Sequence, residues 1–203
     1  SMRYISKEQT NIAKMLLLTA FSRFFVMGIT IVGLPFIVRT VLGLNAQYYG
    51  AAESSLAIAT ILGSVAAGFL AEKLKIHRLA ILLAFMGAFI ILAGIVFLCP
   101  ADSIIKYVFT LVSFCGMQIA VSIFSIFAVS LIQQRTPNHL IGKIMAYTSA
   151  VTLCVQPIGQ IMYGFLFDRF RNMIYLCFIP TGVIVCAVGM SSMGFFRKME
   201  KEQ

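Results

Sequence analysis

The residue in this chain that most needs a chemical explanation is Arg23, in KMLLLTAFSRFFVMGITIVG, residues 14–33. Apolar runs at 15–18 and 24–38 flank it. A guanidinium keeps its charge and presents five donors in a rigid fork. Among hydrocarbon it costs about 2.5–3.5 kcal/mol on insertion scales unless partnered or hydrated. Two compensations are open. Either Arg23 faces a wet cavity, where it binds an anion or couples to an acid, or its head snorkels to the nearer interface, roughly 12 Å of helix away.

The other groups with chemical potential are weaker acids, amides and hydroxyls. Glu53 is the one acid clearly inside an apolar run, so it is a candidate proton carrier or the partner of Arg39 in a structural ion pair. It lies at the opposite depth from Arg23 and is no direct partner for it. Thr30, Gln118, Ser122 and Ser125 are candidates to contact a solute in a cavity, or to hydrogen-bond between helices. Thr60, Ser64, Gln156, Gln160 and Tyr163, with Glu53, form a second set able to contact a solute or to hydrogen-bond between helices. Gln156 precedes Pro157, where a missing N–H weakens the helix ladder and admits water or bending.

Hydrolytic chemistry finds no support. Both histidines, His77 and His139, lie between apolar runs, no G-x-S-x-G occurs, and there is no pair of acids for general acid–base work. Cys99, Cys115, Cys154, Cys177 and Cys186 lack metal-ligand spacing and read as small core hydrophobes. We therefore expect no catalytic residue, no metal ligand and no cofactor.

What positions these groups is set by composition. Of 203 residues, 60% are hydrophobic and 11% charged, too few to cover a water-soluble domain. The apolar runs divide into six spans, near 11–41, 47–72, 79–99, 104–135, 140–167 and 172–196, each long enough for a hydrocarbon layer of roughly 30 Å. Breakers at Gly43, Pro100, Pro137 and Asn172 separate them. Strands of alternating polarity are missing, so the spans read as helices. The expected organisation is an N-terminal segment 1–10, in which Ser1-Met2 reads as a tag scar, a bundle over 11–196, and a tail over 197–203.

The net charge of +9 follows topology and does not call for nucleic acid. Eleven Lys and Arg fall in the termini and even-numbered loops, against four at the odd-numbered loops, with Arg23 apart. Positive residues remain inside, which predicts both termini in the cytoplasm and a multi-pass place in the cell (inner) membrane.

The chain also repeats itself. GSVAAGFLAEKL, residues 63–74, returns 96 residues later as GQIMYGFLFDRF. Three spans separate the copies, an odd number, so the phrase closes the second and fifth helices on opposite faces, as in an inverted-topology repeat. Its glycines, Gly63 and Gly68 with their counterparts Gly159 and Gly164, let a neighbouring helix approach. Polar residues support the same division. At 100° per residue, Thr19, Ser22, Arg23 and Thr30 share a face of the first span, and Gln118, Ser122, Ser125 and Gln133 one of the fourth. Glu53, Thr60 and Ser64 align on the second, and Ser149, Thr152, Gln156, Gln160 and Tyr163 on the fifth. The third and sixth are almost wholly apolar and are expected to face lipid. The fold class expected is an all-α membrane protein of six helices in a 3+3 inverted repeat.

GFLAEKLKIHR after the second span and QQRTPNHLIGKIMAY between the fourth and fifth make this chain resemble the C-terminal six-helix half of a major facilitator superfamily transporter. Gly68, Glu72, Lys73, Lys75 and Arg78 match that family's cytoplasmic loop motif, except for its internal glycine, and Pro137, Gly142 and Lys143 match a second loop segment. LPFIVRTVLGLNAQYYGAAESSLAIATILGSVAAG is closest to the macrolide-efflux-like drug:proton antiporters. The resemblance implies half of a transporter: a bundle in the lipid bilayer that rocks against an N-terminal six-helix partner, with first and fourth helices lining a cavity for a small-molecule substrate and second and fifth packing on the partner, which makes Glu53, Thr60, Ser64, Gln156, Gln160 and Tyr163 the interface candidates. Efflux of drug-like or other amphipathic molecules coupled to protons is the implied activity. A native six-span protein that pairs with a second copy, or a non-transporting scaffold, are the alternatives.

Overall fold

The structure, a computed structural model, describes residues 2–70 and 75–200, the side chains of 2–9 excepted. All regular elements among the described residues are helical. Helix α1 starts as Met2–Ser22 and continues through three wide π-helical stretches, Arg23–Met27, Ile29–Gly33 and Phe36–Val41. It is followed by α2 (Ala46–Leu70), α3 (Arg78–Ile95), α4 (Ser103–Gln134), α5 (Ile141–Arg169) and α6 (Tyr175–Glu200). Each is long and apolar enough to cross a membrane.

The helix ends follow local chemistry. At Gly43, φ is +65°, a left-handed turn that glycine takes at no steric cost, and Leu44 N–H reaches back to the Val38 carbonyl at 2.9 Å. Asn45 then caps α2, its Oδ1 accepting from the Gln47 and Tyr48 amides at 3.1 and 3.4 Å. Pro35 and the Gly28 and Gly33 positions mark where α1 departs from regular α geometry, an irregularity the apolar pattern does not announce.

Packing follows the inverted triplets. Helices α1 and α5 run side by side in the same direction, as do α2 and α4, while α3 and α6 lie antiparallel. The repeat's first glycines hold the first two contacts together. A methyl on Gly63 would lie 2.9 Å from the Ile119 carbonyl of α4, and one on Gly159 would meet the Phe24 carbonyl of α1. The two contacts are mates, since 63 maps on 159 and 24 on 119 under nearly one offset. Gly68 differs from expectation: among the described residues nothing lies within 4 Å of its missing side chain, and Gly164 has only Val32 at 3.9 Å. The second glycine of the phrase therefore does not bring helices together inside this bundle.

Helices α3 and α6 owe their close contact to a further repeat. Gly87 and Gly94 recur as Gly182 and Gly189, and a methyl on Gly87 would lie 2.6 Å from the Gly182 carbonyl, one on Gly182 2.7 Å from that of Gly87. With no hydrophobic drive in lipid, such backbone contact is what packs helices. The pair sits at the flank of the bundle, where Phe85, Leu92, Val183, Ile184 and Met190 are exposed. By contrast, 56% of the apolar window of α4 is buried but only 22% of α2 and 17% of α5. The least covered helices are thus the second and fifth.

Both ends of the bundle are tied. At the end that carries the termini, His77 Nδ1 lies 2.6 Å from Glu200 Oε2, and the Arg135 guanidinium donates to the Met199 carbonyl at 3.0 Å. At the opposite end, the Tyr107 hydroxyl of α4 donates to the Tyr48 carbonyl of α2 at 2.8 Å.

Candidate functional site

Arg23 stands at the first wide turn of α1, between α4 and α5. Lys14, whose ammonium lies 5.4 Å from the centre of the Phe195 ring near the end of α6, marks the polar level on that side. Arg23 is nine residues further in, ~13 Å of helix. Its head turns sideways into the bundle, where Nη2 donates to Ser125 Oγ of α4 at 3.2 Å. The half-buried Arg23 head is thus held against α4.

The cleft is lined by Arg23, Ser149, Thr152, Leu153 and Gln156 and has a volume of about 230 Å³. Thr152 satisfies its own hydroxyl proton locally, donating to Thr148 O at 2.8 Å, which leaves its lone pairs toward the cleft. Pro157 has no N–H to give the Leu153 carbonyl one turn earlier, so that oxygen is released from the ladder beside the cleft. No carboxylate pairs with Arg23 among the described residues.

Of the cavity candidates, Arg23 and Ser125 meet, while the others are drawn into helix packing. Thr30 is buried and bonds the Val26 carbonyl at 2.8 Å. It drifts off the Arg23 face because the intervening turns are π-helical, so a count at 100° per residue overshoots there. Gln118 is buried and donates from Nε2 to Thr60 Oγ1 of α2 at 3.0 Å, with its own amide oxygen left without a donor among the described residues. Ser122 abuts Gly63 of α2.

The interface candidates divide too. Glu53 and Ser64 are exposed on α2, and Thr60 is half-buried under Gln118. Glu53 takes its bond from the Tyr49 hydroxyl, one turn away at 3.0 Å, and the ion pair expected with Arg39 is not formed. Gln156 lines the Arg23 cleft and Gln160 is half-buried. Tyr163 corrects the sequence reading: it is 0% exposed, donates to Thr181 Oγ1 of α6 at 3.0 Å, and packs between Phe25 and Phe167. The reason is the crossing of α1 over α5 at Gly159. Before the crossing the stripe is open at Ser149, Thr152 and Gln156; beyond it α1 covers the same face.

In the loop motifs, Glu72 and Lys73 lie outside the described residues. Gly68, Lys75, Arg78, Pro137, Gly142 and Lys143 lie at the surface. Lys75 lines a groove of about 360 Å³ with Ser130 and Gln134 of α4. Sequence reasoning passed over Thr181, Tyr107 and the His77–Glu200 contact, for which a single helical wheel gives no signal; the seven-residue glycine spacing in α3 and α6 was the signal available for their packing.

Six helices folded as inverted triplets, each long and apolar enough to cross a membrane, define an integral membrane protein. Residues 2–158 match the family described as Major Facilitator Superfamily. The chain belongs to that family, whose members are secondary transporters and not enzymes. No curated protein and no solved structure matches it.

Proposed function

We propose that the chain is the C-terminal six-helix bundle of a secondary active transporter, which moves drug-like or other amphipathic small molecules out of the cell by alternating access. The observation that carries this reading is the cleft that Arg23 of α1 forms with α5, from which its guanidinium also bonds Ser125 of α4. A charged group there is tolerated only where water or a ligand reaches it. An N-terminal bundle of the same kind covers α2 and α5 and supplies the other wall of the passage. Coupling to protons, both termini in the cytoplasm of the inner membrane, and kinship with the macrolide-efflux-like antiporters belong to the same proposal, the last resting on the wording of residues 34–68.

Glu53 is exposed on α2 and hydrogen-bonded by Tyr49, a position from which a proton acceptor faces the partner bundle and not Arg23. The test is uptake of a fluorescent amphipath into inside-out vesicles under an imposed proton gradient. Vesicles holding the chain with its N-terminal bundle should accumulate the dye and lose it on adding a protonophore. Accumulation by the chain as a lone bundle would contradict the two-bundle reading.

A further inference from the structure

We propose that the Arg23 cleft is the head-group site for an organic anion, so that the transported solute carries a carboxylate, phosphate or sulfonate on an apolar body. This rests on the transporter reading and names the chemical class that reading leaves open.

Four observations converge. Arg23 is a fixed cation in the polar cleft between α1, α4 and α5, and no carboxylate pairs with it among the described residues. The acids whose side chains are described, Glu53, Asp102, Asp168 and Glu200, all stand toward helix ends, while Arg23 lies mid-helix. The groups gathered around the guanidinium are neutral: Ser125 bonds it, and Ser149, Thr152 and Gln156 line the same space. Such a set attracts an anion and hydrogen-bonds it, and it repels a cation of the same shape. Finally, about 230 Å³ is below the roughly 300–1,000 Å³ of a drug-sized site, which suits a head group with the rest of the ligand held by a facing wall. An anion arriving there also supplies the compensation that no carboxylate among the described residues does.

Two probes separate charge from shape: 2-naphthoate and 2-naphthylmethylammonium share an apolar body and carry opposite heads. The chain has no tryptophan, so naphthyl fluorescence reports binding without indole background. With the 203-residue chain reconstituted in liposomes of zwitterionic lipid, naphthoate should bind at least tenfold more tightly than the ammonium probe. Arg23→Gln should abolish that preference and Arg23→Lys should retain most of it. Ser125→Ala, which leaves the charge in place, should weaken naphthoate only a few-fold and serves if Arg23→Gln is poorly folded. Equal affinities for the two probes, or a preference that survives Arg23→Gln, overturns the anion assignment. The transporter reading fails separately: if naphthoate binds through Arg23 yet complete transporter vesicles carry no solute, the anion site stands and transport does not. Flux of cationic dyes unaffected by Arg23→Gln leaves transport standing and removes the anion site from it.

Discussion

A missing side chain sets the spacing of this bundle more firmly than any hydrogen bond. Gly159 sits against the Phe24 carbonyl and Gly63 against the Ile119 carbonyl, contacts where the neighbour is backbone and has no rotamer to yield. Gly63→Val and Gly159→Val should each destabilise the fold by about 1–3 kcal/mol, the usual scale of overpacking. Gly68→Val, at a position with open space, should stay within about 0.5 kcal/mol. Thermal unfolding followed by size-exclusion of the detergent-solubilised protein ranks the three. Tyr163 permits a finer separation, because its ring and its hydroxyl do different things. Tyr163→Phe keeps the packing on Phe167 and loses the bond to Thr181, for a cost of about 0.5–1.5 kcal/mol, whereas Tyr163→Ala opens a cavity worth about 3–5 kcal/mol. Equal losses for the two variants in the same unfolding measurement would mean that the hydroxyl, and not the ring, secures the site.

At the scale of the elements, the ends are fixed by a few polar contacts and the middles by glycine. At the last turn of α6, Glu200 meets His77, the Met199 carbonyl accepts from Arg135, and the Phe196 and Met199 side chains are buried. His77→Ala should therefore raise amide hydrogen exchange over residues 195–200 severalfold while leaving α3 and the middle of α6, locked by Gly87 and Gly182, unchanged. An unchanged last turn would show that the contact contributes nothing. That the fold consists of six apolar helices was legible in the sequence because lipid demands about 20 apolar residues per crossing, and six helices of that length and composition are present. The rotation of α1 was not. From Arg23 onward its wide turns carry an extra residue each, which turned Thr30 into the core and away from the Arg23–Ser125 contact. The α5 stripe was readable up to Gly159. Past it the crossing of α1, a tertiary fact, decided burial.

For the molecule as a whole, the repeat explains the division of labour. Parallel pairs α1/α5 and α2/α4 are mates, α3 pairs with its own mate α6, and the two helices left least covered, α2 and α5, are mates as well. Inverted symmetry of this kind gives two related faces that open toward opposite sides of a membrane. Passage of a solute along such a face requires that water reach the surroundings of Arg23. A single cysteine at Thr152, in a chain whose native cysteines are replaced, reports that water through its labelling by a membrane-impermeant maleimide in membrane vesicles. Labelling within about tenfold of a loop cysteine at Lys75 is expected, the ratio of a water-filled cleft. Labelling as slow as that of a cysteine at Phe85, on the lipid-facing flank, would contradict a wet Arg23 face.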